Sequence, residues 1–241
     1  MHNEAAGRFD VVVVGAGFTG LRAATSLAAA GVDVVVLEAR DRVGGKVEAR
    51  PDELGAMVDT GGQFVCDDMP HVLQLVREQG KHLVEVADPR PGLAFFGDHP
   101  TDDPADLDRR FEAGWETWEQ LAAIPPADLT PGESTDDWLA ARIDDDVTLR
   151  AARAATGSMM CMPIGRIPVA NMAHEASRTP LTVHELQYIV AETMHQVAVD
   201  LAATLPRRVR LRHEIERIEH RADGVVVIAA TPGGAVAVEA S

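Results

Sequence analysis

The sequence predicts an α/β protein in which a parallel sheet with a β-hairpin region is interrupted by a mainly helical segment. Three observations predict it. A β-branched run, Phe9–Val14, feeds directly into Gly15-Ala16-Gly17-Phe18-Thr19-Gly20 and an Ala/Leu-rich stretch, and a second valine run, Val32–Leu37, follows. From Arg208 onward, short apolar runs alternate with glycine-containing turns. Between these ends lies a stretch whose large apolar residues recur at helical spacing.

Composition narrows the class first. The chain has 241 residues, 46% apolar and 25% charged. That is ordinary for a soluble globular protein of one large or two small domains and excludes a disordered, collagen-like or disulfide-scaffold chain. The formal charge is −16, which argues against nucleic acid or an anionic membrane as a general partner. It leaves room for one phosphate-rich cofactor held by backbone amides. Cys66 and Cys161 are far apart and form no metal or disulfide spacing, so a reducing, cytoplasmic location is expected. The longest apolar runs, Val11–Val14 and Val34–Leu37, are far too short for a bilayer, and the polar N-terminus is unlike a signal peptide.

The elements follow in order. Phe9–Val14 reads as a strand buried on both faces, Leu21–Ala30 as a helix by propensity, Gly31 as its stop, and Val32–Leu37 as a second strand ending in Glu38. Met69–Gly80 predicts a helix with Val72, Leu75 and Val76 on one face, and short strands are expected at His82–Val86 and Leu93–Phe96. Asp103-Pro104 is an N-cap followed by proline at the first helical position. Leu107, Phe111, Trp115, Trp118 and Leu121 continue that helix to Pro125-Pro126. Ser134 with Asp137 resembles a capping box. Helices are expected over 135–142, 145–156, 167–176 and 189–204, then β-hairpin strands from Val209-Arg210-Leu211 onward.

The strand–GxGxxG–helix–strand–acid order is the fingerprint of a Rossmann-like dinucleotide site. Gly15 permits the tight turn, Gly17 the close approach of a pyrophosphate, and Gly20 close helix–sheet packing. The helix N-terminus offers unpaired amides to phosphate. Glu38 would accept ribose hydroxyls, each charge-assisted bond contributing roughly 1.5–3 kcal/mol, and would repel a 2′-phosphate. These residues alone leave NAD and FAD both open.

The run from Val11 to Val47, including Leu37-Glu38-Ala39-Arg40-Asp41-Arg42-Val43-Gly44-Gly45-Lys46, closely resembles the N-terminus of flavin-dependent amine oxidases. Where that family usually has Arg, this chain has Lys46, which keeps the charge but not the planar fork. Asp59-Thr60-Gly61-Gly62-Gln63-Phe64 resembles the segment whose backbone runs beside the isoalloxazine ring. Met194–Ile218 with Asp223-Gly224-Val225 resembles the stretch leading to the adenine-contacting strand, with Ile215 at the adenine. A Gly-Gly pair usually precedes the equivalent of Met194; Glu192-Thr193 stands there in this chain. The resemblance implies FAD as cofactor. The implied cofactor-binding set is Gly15, Gly17, Phe18, Thr19, Gly20, Glu38, Ala39, Arg40, Arg42, Gly44, Gly45, Lys46, Gly61, Gly62, Gln63, Phe64 and Ile215. It also implies oxidation of a C–N bond in an amine or amino acid by hydride transfer to flavin N5. Flavin desaturases of the same superfamily and a non-catalytic nucleotide-binding subunit are the alternatives.

In that family a second half supplies more sheet, most of the substrate cavity and a further flavin motif, and no catalytic side chain is assigned in the present sequence. The fold is therefore expected to be incomplete, with an unpaired sheet edge and exposed apolar faces. Completion by a second polypeptide in a hetero-oligomer is expected, with a bare fragment as the alternative. The FAD-binding domain is drawn as residues 1–80 and 205–241, and a helical substrate or cap segment as 81–204. Other signals read as structural. The pairs His174-Glu175, His184-Glu185 and His213-Glu214 lack a second His at metal-binding spacing, so no metal is expected. Met159-Met160-Cys161-Met162 and the Trp115/Trp118 pair suit core packing, and the acidic run Asp98–Asp108 a solvated face.

Overall fold

In a computed structural model of the chain, each valine run becomes a strand whose alternate side chains face different layers. The structure describes residues 5–86, 94–96, 99–101, 103–178 and 187–241. His184-Glu185, Leu93, Asp98 and Asp102 of the sequence readings lie outside these residues.

The chain opens with β1 (Ala5–Phe9), β2 (Val11–Val14), helix α1 (Phe18–Ala29) and β3 (Val34–Leu37). The expected single strand Phe9–Val14 is thus two strands. At the break, Asp10 N–H donates to the Asp33 carbonyl at 2.8 Å, and the Asp10 carboxylate accepts from Asp33 N–H at 2.8 Å. β2 and β3 pair in parallel. Next come β4 (Glu48–Pro51) and β5 (Met57–Gly61), an antiparallel pair, then α2 (Pro70–Glu78) and β6 (Leu83–Glu85).

A second unit contains β7 (Ala94–Phe96), β8 (His99–Thr101), α3 (Pro104–Ala123), α4 (Thr135–Ala140), α5 (Asp146–Met160) and α6 (Val169–Arg178). Asp103 caps α3, accepting from Ala105 N–H. At α4 the box is modified: the Ser134 hydroxyl accepts from Asp137 N–H at 3.1 Å and donates to the Asp137 carboxylate at 2.7 Å. The shorter acid thus meets the hydroxyl instead of the cap's own N–H. Trp118, Leu121, Trp138, Leu139 and Met172 form this unit's core, with Met160 packed on it. Met162 is exposed.

The chain then returns with β9 (Tyr188–Val190), α7 (Met194–Ala203), β10 (Val209–Arg210), β11 (Glu214–Arg221), β12 (Gly224–Thr231) and β13 (Gly234–Ala240). The helix expected over 189–204 is shorter, because Tyr188–Val190 pairs antiparallel with β6. β10 is the third parallel strand, beside β3, and not part of a hairpin. The parallel sheet runs β10-β3-β2, and the meander β1-β13-β12-β11.

Strand periodicity of two explains the layers. Val34 and Val36 pack in a core with Leu21 of α1 and Val197 and Leu201 of α7. Val35 and Leu37 pack instead on Val227 and Val238 of the meander, joined by Phe9, Val12 and Ile215. All four β3 residues are buried. β2, by contrast, is only half-buried and Val14 is 53% exposed, although its sequence reads as a central strand. Among the described residues nothing pairs with its outer edge.

By compactness the units are Met1–Val86 with His184–Ser241, and Ala87–Val183. The boundaries drawn at 80/81 and 204/205 differ from these: β6, β9 and α7 join the first unit because Leu83, Val190, Met194 and Val197 pack in its core. Among the described residues, no helix is long and apolar enough to cross a membrane.

Candidate functional site

The turn from β2 into α1 is held by Gly15 N–H donating to the Leu37 carbonyl at 2.8 Å. Gly15 has φ +94°, a region that glycine enters without cost. A Cβ on Gly20 would lie 2.0 Å from the Gly15 carbonyl oxygen, so the helix can start this close to the strand only with glycine there. A Cβ on Gly17 would meet nothing nearer than Gly45 Cα at 3.9 Å. Its hydrogen side chain is therefore not demanded by protein packing; it leaves an open approach to the backbone. Gly17 is the N-cap of α1, no side chain caps the helix, and its first turn carries no acid. The partial positive charge of that terminus meets no protein carboxylate in the first turn.

Glu38 closes the other side of the turn. It is 7% exposed. One carboxylate oxygen accepts from Ala16 N–H at 2.7 Å and the other from Arg40 N–H at 2.9 Å. Ala39 and Arg40 are exposed beside it. The loop that follows packs glycine on glycine. Gly44 N–H donates to the Ala16 carbonyl, and a Cβ on Gly45 would lie 3.2 Å from Gly17 Cα. Arg42 sits inside this loop, donating to the carbonyls of Val43, Gly45 and Val47 at 3.1–3.2 Å and pairing with Glu48 at 3.3 Å. Arg40 also reaches the Gly45 carbonyl, at 3.2 Å. Both guanidinium groups thus shape the loop, while Lys46 is exposed.

Gly61 and Gly62 lie against the same loop: their Cβ positions would fall 3.0 Å from the Lys46 carbonyl oxygen and 2.9 Å from a Val47 methyl. Gln63 is half-buried and Phe64 is 39% exposed. Phe18, Val47, Phe64, Met69, Val72 and Met194 line a mainly apolar cleft of about 460 Å³ beside the start of α1. Ile215 turns its side chain into the core under β3. The segment leading into its strand reaches the site through its backbone, His213 N–H donating to the Glu38 carbonyl at 2.8 Å and Arg212 N–H to the Arg40 carbonyl at 2.9 Å. A register shift follows between Ile215 and Arg217.

Three residues outside the expected set shape the site. The Asp59 carboxylate accepts from Met194 N–H at 2.6 Å and His195 N–H at 3.2 Å. His195 lies against Gly44, with Nε2 3.3 Å from the Val43 carbonyl. Thr193 caps α7, its hydroxyl accepting from Gln196 N–H at 3.1 Å. Asp59 opens the run that resembles the flavin segment, but nothing local marks its bonding role, because its partners lie 135 and 136 residues away.

Thr193 has φ +77° and ψ 145°, a region that almost only glycine adopts and that costs a β-branched residue about 1–3 kcal/mol. Thr193 thus strains the backbone while it caps the helix. Thr193→Gly should stabilise the protein by ~1 kcal/mol, since a glycine N-cap loses only a few tenths. Thr193→Ala, which keeps the strain and loses the hydroxyl, should destabilise it by about 1 kcal/mol. Opposite shifts in thermal midpoint check this; two losses would contradict it.

Beside Thr193, the Glu192 carboxylate accepts from the His82 backbone N–H at 3.1 Å and lies 2.6 Å from His82 Nδ1. These hydrogen bonds lower its pKa from 4.5 to about 2. A depressed carboxylate stabilises the fold above its unfolded pKa and loses that contribution as pH falls through the folded one. The wild type should therefore lose its stability advantage over Glu192→Gln between about pH 5 and pH 2. A constant difference across that window, measured by denaturation at each pH, would contradict the assignment.

A pyrophosphate-bearing nucleotide suits this cradle. The Gly17 face is open, the α1 terminus has no side-chain cap, and a buried carboxylate stands at the end of β3. Among the described residues, no group of three His, Cys, Asp or Glu side chains gathers as a metal site.

The family model for flavin containing amine oxidoreductase matches residues 18–238. A putrescine oxidase of Kocuria rosea is 51% identical over 78 residues, 32% of this chain and 16% of that protein. The flavin-containing amine oxidase A of Canis lupus familiaris is 47% identical over 78 residues, 32% of this chain and 15% of that protein. Among solved structures, a wild-type putrescine oxidase bound to putrescine superposes with TM-score 0.71 at 28% identity, covering 97% of this chain and 57% of that one. Cyclohexylamine oxidase from Brevibacterium oxydans shares the fold, with TM-score 0.73 at 21% identity over 95% of this chain and 56% of that one. The chain thus spans little more than half the length of the solved structures it matches.

Proposed function

Because the chain belongs to the family of flavin-containing amine oxidoreductases, whose cofactor is FAD, we propose that it is the FAD-binding part of an enzyme that oxidises a C–N bond in an amine or amino acid. The observation that carries this reading is the glycine turn over an uncapped helix start, with Glu38 buried beside it. The amides at the start of α1 would hold the pyrophosphate. Glu38 would accept from the ribose hydroxyls while keeping its bonds to Ala16 and Arg40 N–H. Gly44 and Gly45, shaped from within by Arg42, would let the backbone close on the phosphates, with exposed Lys46 adding positive charge. The Gly61–Phe64 segment would lie along the isoalloxazine ring, and the β11 backbone near Ile215 would border the adenine. When bound, the flavin supplies the hydride acceptor; the chain's own residues bind, orient and shield it.

The reading includes a second polypeptide that completes the fold, and two surfaces support it. β2 offers the N–H and C=O groups of Val11–Val14 along an edge where no described strand pairs. The apolar cleft between α1 and α2 offers a seat for an apolar helix. A parallel strand followed by such a helix is what the complementing polypeptide would add.

The test is co-purification with a complementing polypeptide from the same organism, followed by anaerobic titration with amines and amino acids. A yellow complex whose flavin bleaches on addition of one of them is expected. A flavin complex that no amine or amino acid bleaches, but an alkane or alkene donor does, would assign a desaturase instead. Bound flavin that no donor reduces would leave a nucleotide-binding scaffold.

A further inference from the structure

We propose that Asp59 is the positioning residue that sets the flavin end of the cofactor site, by tying the Gly61–Phe64 segment to the start of α7. The proposal rests on the reading of the chain as FAD-binding. Asp59 lies on β5, two residues before Gly61, and its register partner is Ala49 of β4. Its two carboxylate oxygens accept from consecutive amides of α7, Met194 N–H at 2.6 Å and His195 N–H at 3.2 Å. A carboxylate at a helix N-terminus is favourably placed. The helix, however, already has its own cap in the Thr193 hydroxyl. What Asp59 adds is a link between two segments far apart in the chain.

That link reaches both glycine loops. Met194, only 3% exposed, lines the cleft that Gly62 and Phe64 also border. His195 lies against Gly44, whose Cβ position would be 2.9 Å from the imidazole Cδ2, and its Nε2 is 3.3 Å from the Val43 carbonyl. The Gly44–Gly45 loop is therefore referenced to α7 through His195, and the Gly61–Phe64 segment through Asp59. The Gly15–Gly20 turn is anchored by Leu37 and Glu38, and the Gly44–Gly45 loop that it touches is held from within by Arg42. Loss of Asp59 should release the segment assigned to the flavin ring and spare the part that holds the adenosine diphosphate.

The experiment compares dissociation constants for FAD and for ADP on the whole chain and on Asp59→Ala and Asp59→Asn. Asp59→Ala is expected to weaken FAD at least tenfold and to leave ADP within twofold. Asp59→Asn, whose amide oxygen retains one accepting position, should fall between. Unchanged FAD affinity, or equal losses for FAD and ADP, would overturn the proposal, the latter because Asp59 would then serve the fold as a whole. Should Asp59→Ala not fold, amide hydrogen exchange of ligand-free Asp59→Asn decides. Faster exchange at residues 61–64 with unchanged exchange at 16–20 is expected, and uniform change overturns it. A wild-type chain that binds neither FAD nor ADP would refute the FAD reading itself and the proposal with it, whereas binding of both leaves that reading intact and lets the variants judge Asp59 alone.

Discussion

Gly20→Ala should destabilise the protein by ~3 kcal/mol and abolish retention of FAD. The added Cβ would sit 2.0 Å from the Gly15 carbonyl oxygen, 3.2 Å from its carbon and 3.3 Å from a Val13 methyl. The obstacle is backbone, so no side-chain rotation relieves it. The start of α1 must move away from β2, and the amides at that start move with it. Gly31→Ala is the control: φ there is +83° but nothing lies within 4 Å of the new Cβ. Only the left-handed backbone is then penalised, at ~1 kcal/mol, and FAD retention should survive. Thermal denaturation with absorbance at the flavin bands reads both effects. A Gly20→Ala protein as stable and as yellow as the Gly31→Ala one would refute the close-approach account.

Glu38→Ala is expected to weaken FAD about ten- to a hundredfold and to lower stability by ~3 kcal/mol even without cofactor. The first figure follows from one charge-assisted bond to ribose at roughly 1.5–3 kcal/mol. The second follows from what the carboxylate already does for the protein. Ala16 is fully buried, and its N–H has the Glu38 carboxylate as acceptor at 2.7 Å. An alanine at 38 leaves that amide without its acceptor, at about 1–3 kcal/mol, and removes the bond from Arg40 N–H as well. Glu38→Gln keeps one accepting oxygen and should lose about half as much of each. Calorimetric binding of FAD, paired with denaturation of the ligand-free variants, separates the two parts. Full stability in ligand-free Glu38→Ala would refute the structural part, and unchanged FAD affinity the ribose role.

Much of this was legible in order along the chain. The β2–α1–β3 unit carries every local signal at once: β-branched runs, the three glycines, an Ala/Leu helix and Gly31 as its stop. The helix caps at Asp103 and Ser134 were also readable, because a cap and its partner amide lie within three residues. The strand break at Asp10 was not, since it depends on a pairing with Asp33 and on β1 leaving to join β13. Arg40 and Arg42 were expected at the cofactor; their guanidinium groups also hold the loop carbonyls, a role set by how the loop folds back. β10 looked like a hairpin strand because a two-residue strand has no periodicity of its own to contradict that reading.

What the sequence by itself determined is therefore the local chemistry: which turn needs glycine, where helices start, which strands carry valine on both faces, and the acid at the end of β3. Those properties depend on neighbours a few residues away. The tertiary structure alone decided which face of β3 meets helices and which meets the meander, that β2 is left as an edge, and that Asp59 and His195 join the two glycine loops to α7. The contacts of Asp59 and His195 span more than a hundred residues of chain. A carboxylate finds two amides on a distant helix only after the sheets and helices have packed, because packing sets the distance that a hydrogen bond requires.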